Sequence, residues 1–147
     1  GVQIGNPDDP VWVVAGDGGS QMSINQLGTI VAECLPIKIV ILNNGYLGMV
    51  RQWQEIFFSR RYCATPISSP DFAKVAEAYG MPGLRVDRKE DVDSAIETAA
   101  NTPGPFLLEF RVRGEENVYP MVPAGQTIRE MIRRPLPNER LVAEEKA

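Results

Sequence analysis

The sequence predicts an α/β domain, a parallel sheet flanked by helices, and three observations carry that prediction. Residues 11–15 (VWVVA) and 37–42 (IKIVIL) are short apolar runs without alternation, the pattern of strands covered on both faces. Around them, apolar residues recur at helical spacing, so strand and helix patterns alternate along the chain. Both runs stop at turn-forming residues, Gly16-Asp17-Gly18-Gly19 and Asn43-Asn44-Gly45.

Residues 1–10 (GVQIGNPDDP) read as a loop that feeds directly into a buried strand, so the chain is expected to be a piece of a longer protein. The strand 11–15 ends at Gly16. From Met22 onward, Leu27, Ile30, Val31 and Cys34 fall on one face of a single amphipathic helix, which Pro36 closes. The strand 37–42 is apolar apart from Lys38. A strand-helix-strand crossover is right-handed and lays its strands parallel, so Asp17 and Asn44 are expected at the same sheet edge. The interval between them is what a turn, a helix of three to four turns and a strand require.

Residues 47–58 continue as a helix with Met49, Val50, Trp53, Ile56 and Phe57 on a common face. A polar connection, 59–69, leads to a helix beginning at Pro70. Ser69 would be its N-cap, Phe72, Val75, Ala76 and Tyr79 its apolar stripe, and Gly80 its end. Residues 84–86 read as a third strand, 90–100 as a helix and 105–112 (PFLLEFRV) as a fourth strand. Prolines extend 118–123, and 128–132 suit a short helix. Residues 133–147 are charged and proline-broken, the pattern of a mobile tail. One domain over 1–132 followed by that tail is therefore expected.

Composition narrows the function. Hydrophobic residues at 44% and charged residues at 23% of 147 are those of a globular protein. The net charge of −4 supplies no basic field for nucleic acid. No apolar run approaches the roughly 20 residues needed to cross a bilayer, no signal-peptide pattern opens the chain, and Cys34 and Cys63 form no CxxC pair. A cytoplasmic location without membrane or nucleic-acid partners follows as an expectation. Histidine is absent, which removes a Ser-His-Asp triad, a Cys-His pair and histidine metal ligands from this chain.

Open parallel sheets bind ligands at the carboxyl ends of their strands, where Asp17 and Asn44 are expected. Alone, Gly16-Asp17-Gly18 reads as a strand-to-helix turn capped by Asp17, and Asn43-Asn44-Gly45 as another turn. Together they offer one carboxylate and one amide oxygen, hard ligands suited to a magnesium ion that phosphate oxygens complete. Gly18 and Gly19 would let backbone N–H groups approach the phosphate.

GDG followed at this spacing by NN resembles the signature of thiamine diphosphate (ThDP) enzymes. The resemblance implies Mg2+ held by Asp17, Asn44 and the main chain of Tyr46, whose side chain would play no part. The strings NNGYLGMVRQWQEIFFSRRY, PDFAKVAEAYGMPGLRV and VYPMVPAG are similar to the acetolactate synthase (acetohydroxyacid synthase) large subunit, and the likeness covers nearly all of the chain to Ile132.

That likeness implies the C-terminal ThDP-binding, or pyrophosphate-domain, fold without its first strand and helix. Gly16, Gly18, Gly19, Met22, Tyr46, Leu47, Gly48 and Met49 would contact the cofactor, with Met22 as the apolar prop beneath it. Met49 and Trp53 would line the substrate pocket, Trp53 favouring 2-oxobutyrate over pyruvate as second substrate. Without the likeness, their shared helical face reads as core packing.

The implied reaction condenses pyruvate with a second 2-oxoacid, with loss of CO2, in branched-chain amino acid biosynthesis. The implied surroundings are a homodimer or tetramer, a regulatory small subunit and an FAD-binding domain absent from this chain. The catalytic glutamate would come from a partner's amino-terminal domain, so no catalytic residue is expected in this chain and the chain alone is expected to be inactive. Alternatives at this level are another ThDP enzyme, such as a 2-oxoacid decarboxylase or glyoxylate carboligase, and a non-catalytic binding module.

Overall fold

The computed structural model describes residues 1–135; residues 136–147, which include most of the expected tail, lie outside the described residues. The described residues divide into two compact units, Gly1–Glu115 and 116–135. In the first unit the strands β1 (Trp12–Gly16), β2 (Lys38–Asn43), β3 (Gly83–Val86) and β4 (Phe106–Arg111) form one parallel sheet in the order β1-β2-β4-β3. The helices are α1 (Val2–Gly5), α2 (Asp17–Met22), α3 (Gln26–Ala32), α4 (Gly48–Phe57), α5 (Phe72–Ala78) and α6 (Val92–Asn101).

Successive side chains leave a strand on opposite faces, and this alternation gives the unit two cores. On one face Ile39, Ile41 and Leu107 pack with Leu27 of α3 and with Phe72 and Ala76 of α5. On the other, Val86, Phe106, Leu108 and Phe110 pack against Ala95 and Ala99 of α6. Each fully buried large side chain contributes about 1.5–3 kcal/mol to holding its helix on the sheet.

Lys38, the one charge in its apolar run, is explained by α6. Its ammonium donates to the carbonyls of Thr102 and Gly104, both at 2.6 Å, where the helix ends. Cations suit helix C-termini, which leave carbonyls without partners. Replacing Lys38 with methionine strips both acceptors of this donor, and a loss of about 1–3 kcal/mol in denaturant-determined stability is expected. Burial lowers the Lys38 pKa. The folded state therefore holds its proton less tightly than the unfolded chain, and this lysine's contribution grows as pH rises from the lowered value to the ordinary lysine range. The methionine variant should lack that rise.

Several elements differ from the sequence expectation. Among the described residues β1 is an edge strand, not one covered on both faces: it pairs there with β2 alone, and Trp12, Val13 and Val14 are exposed, Val14 by 65%. Residues 2–5 form one helical turn inside the expected loop. The single helix expected from Met22 is two. α2 begins at Asp17 itself, and the chain turns over residues 23–25 before α3. The Ser20 and Ser23 hydroxyls donate back to the Gly16 and Gly19 carbonyls, a side-chain competition that favours helix ends over interiors. Cys34 lies past the end of α3, exposed and at φ 50°, so it does not extend the apolar stripe. Asp71, not Ser69, caps α5 by accepting the Lys74 N–H at 3.1 Å. In the second unit the helix expected over 128–132 is a single 3-10 turn, Ile128–Glu130, closed by reciprocal bonds between Thr127 and Glu130.

Candidate functional site

Parallel pairing of β1 with β2, Gly16 opposite Leu42, brings the two turns to one sheet edge. Asp17, the first residue of α2, is 1% exposed. Its Oδ2 accepts the Gly45 N–H at 3.2 Å and the Ser69 hydroxyl at 2.8 Å, so three segments converge on one carboxylate. Among the described residues no ion pair includes Asp17. A buried carboxylate without a basic neighbour is expensive on its own and suits a cation.

The next turn supplies the other oxygens. Asn44 Oδ1 accepts the Tyr46 N–H at 3.0 Å, and an amide oxygen keeps a second lone pair for another partner. The turn is pinned to residues 65–67: Leu47 N–H donates to the Thr65 carbonyl at 2.8 Å and Ile67 N–H to the Gly45 carbonyl at 2.9 Å, with Tyr46 opposite Pro66. In such an antiparallel pair the residue between the bonds turns its own N–H and C=O away from the partner segment, which frees the Tyr46 carbonyl. One carboxylate, one amide oxygen and one main-chain carbonyl form a small, hard oxygen set. It fits Mg2+, which keeps places for phosphate oxygens and water. Among the described residues no cluster of three His, Cys, Asp or Glu side chains offers a rival metal site.

The glycines here are not equivalent. A Cβ on Gly16 or Gly19 would meet nothing within 4 Å, whereas one on Gly18 would sit 3.1 Å from Leu47 Cδ2 and 3.2 Å from Ile67 Cδ1. Gly18 thus seats the start of α2 against the 45–47 turn. A Cβ on Gly48 would lie 3.0 Å from Asn44 Nδ2, so Gly48 gives that amide its place.

The Tyr46 side chain, to which the resemblance gives no part in the metal site, is held on two sides. A Cβ on Gly114 would strike its ring at 2.5 Å, and the Arg51 guanidinium lies 5.3 Å from the ring centre. Arg51 also lies 4.8 Å from the Tyr62 ring centre and pairs with Glu55 at 3.0 Å, and Tyr62 donates to the same Glu55 oxygen at 3.2 Å. Desolvation and the adjacent Glu55 raise the Tyr62 pKa. This packing fixes the backbone that presents the Tyr46 carbonyl.

It also turns α4 over. Arg51 and Gln52 face inward, while Met49, Val50, Trp53 and Phe57 are exposed, with Trp53 and Phe57 stacked at 4.9 Å. The apolar face of α4 is therefore not core. Met22, at the end of α2, is 83% exposed. The structure gathers Asp17, Gly18, Asn44, Tyr46, Leu47 and Gly48 into one constellation, and leaves Met22, Met49 and Trp53 facing outward beside it.

Sequence reading missed Ser69, Arg51, Gly114 and Glu109. The sequence reads Ser69 as a helix cap, and no pattern in it singles out Arg51. Glu109 alone had a visible signal, a single carboxylate inside PFLLEFRV.

Residues 1–110 match the family described as "Thiamine pyrophosphate enzyme, C-terminal TPP binding domain". The chain is 43% identical over 135 residues to the acetolactate synthase isozyme 2 large subunit of Escherichia coli K12, covering 91% of this chain and 25% of that protein. It is 44% identical over 131 residues to an acetolactate synthase of Mycobacterium avium, covering 85% and 21%. It thus spans about a quarter of the length of such relatives. Among solved structures, the thiamine diphosphate-dependent 4-hydroxybenzoylformate decarboxylase of Rhodococcus jostii RHA1 matches with a TM-score of 0.72 and 31% identity, over 78% of this chain and 22% of that one.

Proposed function

The chain belongs to the thiamine pyrophosphate enzymes, as their C-terminal TPP-binding domain, and from that premise we propose that it supplies the magnesium and diphosphate half of an acetolactate synthase active site. The observation that carries this reading is the junction of Asp17 with the Asn44 turn through the Gly45 N–H. Asp17, Asn44 and the Tyr46 carbonyl would hold Mg2+, and the first-turn N–H groups of α2 at Gly18 and Gly19 would meet the diphosphate. Bound ThDP supplies the nucleophilic carbon and the electron sink that 2-oxoacid decarboxylation and condensation require. The chain's own residues anchor and shape: Gly16, Leu47 and Gly48 border the diphosphate, Met22 and Met49 offer apolar surface to the rings, and Trp53 limits the second substrate.

The rest of the reaction is assigned to surroundings beyond this chain. These are a catalytic glutamate from a partner subunit in a homodimer or tetramer, an FAD-binding domain, and a regulatory small subunit. The destination is branched-chain amino acid synthesis in the cytoplasm. Among the described residues no helix is long and apolar enough to cross a membrane.

Product analysis tests the proposal. With pyruvate and 2-oxobutyrate together, the full-length protein is expected to form the mixed acetohydroxy acid ahead of acetolactate. Trp53→Leu should lower that preference roughly tenfold, the scale on which an apolar pocket separates substrates one methylene apart. Acetaldehyde as the main product from pyruvate would instead favour a decarboxylase, the activity named for the Rhodococcus neighbour.

A further inference from the structure

Glu109 is 0% exposed and stands on β4 opposite Ile41, on the sheet face that carries Asn43 and α5. A carboxylate so placed must have its oxygens satisfied, and each is met by a different segment. Oε1 accepts Asn43 Nδ2 at 2.7 Å, and Oε2 accepts the Phe72 N–H at the start of α5 at 3.1 Å. The nearest base among the described residues, Arg111, is 3.8 Å from Oε1 and 41% exposed, too loose to account for the burial.

Both tethered segments lead to Asp17. From Asn43, whose amide is oriented by Glu109, Oδ1 accepts the Gly45 N–H at 3.2 Å, and that same N–H donates to Asp17. From Phe72, the chain runs back to Ser69, whose hydroxyl donates to the same Asp17 oxygen. The result is a closed circuit, Glu109 to Asn43 to Gly45 to Asp17 to Ser69 and through the backbone to Phe72 and Glu109. Asp17 ties it at the carboxyl ends of β1 and β2, and Glu109 ties it from within β4; both are buried.

We infer that Glu109 is a positioning residue for the metal site, setting the Asn43–Tyr46 turn and the Ser69 segment so that Asp17, Asn44 and the Tyr46 carbonyl meet one ion. The inference rests on the reading of Asp17 and Asn44 as metal ligands. Its chemistry is specific: two donors converge on Glu109, so two acceptor oxygens are needed, and glutamine offers only one. Glu109→Gln turns an amide NH2 toward either Asn43 Nδ2 or the Phe72 N–H.

Magnesium titrations at saturating ThDP, followed by calorimetry on the full-length protein, test this. Glu109→Gln is expected to raise the Mg2+ Kd about 10–100-fold, the range for residues that orient metal ligands from behind. Asn43→Ala, which spares the bond from Phe72 to Glu109, should weaken binding similarly and keeps the test open if Glu109→Gln does not fold. The double variant Asn43→Asp with Glu109→Gln reverses donor and acceptor across the pair and keeps the net charge, and it should return toward wild-type affinity. A merely structural role predicts instead that single variants which are fully folded bind Mg2+ with wild-type affinity. Wild-type affinity in both single variants, or a double variant no better than Glu109→Gln, overturns the inference. Asp17→Asn separates the two levels: if it abolishes binding while the Glu109 variants do nothing, the site stands and the role of Glu109 falls. Failure of the wild type to bind Mg2+ with ThDP overturns both.

Discussion

Replacing Asp17 with asparagine is expected to weaken Mg2+-dependent ThDP binding by about 100-fold or more, beyond the roughly 10–100-fold typical of residues that only orient a ligand. The set holds a single carboxylate, so the substitution removes its only formal charge, leaving neutral oxygens to face a doubly charged ion. The fold should survive. Asparagine keeps an oxygen for the Gly45 N–H and the Ser69 hydroxyl. Without the metal, the variant is also relieved of a buried charge that no basic side chain among the described residues balances, a change that is often neutral or stabilising. The two effects therefore separate in one variant: calorimetric titration with Mg2+ and ThDP should lose its signal, while thermal unfolding without ligand stays at or above the wild-type midpoint. Unchanged magnesium affinity would remove Asp17 from the metal site and with it the proposed function.

How much of this was legible beforehand depends on whether the signal was local. The strand-helix-strand crossover was readable because the two apolar runs and the turns that end them obey simple periodicity, and the parallel register follows from the handedness of such crossovers. That placed Asp17 and the Asn44 turn at one edge, where the Gly45 N–H joins them. The apolar run of β1 read as buried on both faces because composition reports hydrophobicity, not which neighbours a strand has. Likewise, the α4 stripe was visible as periodicity, but periodicity cannot say which face is turned inward. The inward face carries Arg51, paired with Glu55 one turn along the helix and accommodated between the rings of Tyr46 and Tyr62, which lie outside α4 where its periodicity does not reach. Ser69 and Glu109 were obscured for the same reason: their partners, Asp17 and the pair Asn43 and Phe72, lie far along the chain and become neighbours only when the sheet forms.

Gly83→Ala is expected to act on both the fold and the site. Gly83 opens β3 directly beneath α5, and a Cβ there would lie 2.6 Å from the Ala73 carbonyl oxygen, 2.8 Å from the Ala73 Cα and 3.0 Å from the Ala76 Cβ. Two of these are backbone atoms, which no rotamer change can move, so α5 must lift from the sheet. Overpacking of this kind costs about 1–3 kcal/mol, and a midpoint lowered by about 4 °C per kcal/mol is expected in thermal unfolding. The helix that lifts begins at Phe72, whose N–H is tied to Glu109, and follows Ser69, which is tied to Asp17. A displaced α5 should therefore also loosen the circuit beneath the metal site, and magnesium affinity should fall even at temperatures where the variant is fully folded. A variant that loses stability yet binds Mg2+ and ThDP as the wild type does would show that α5 and the site are mechanically independent. The bond from Phe72 to Glu109 would then be a helix tether and nothing more.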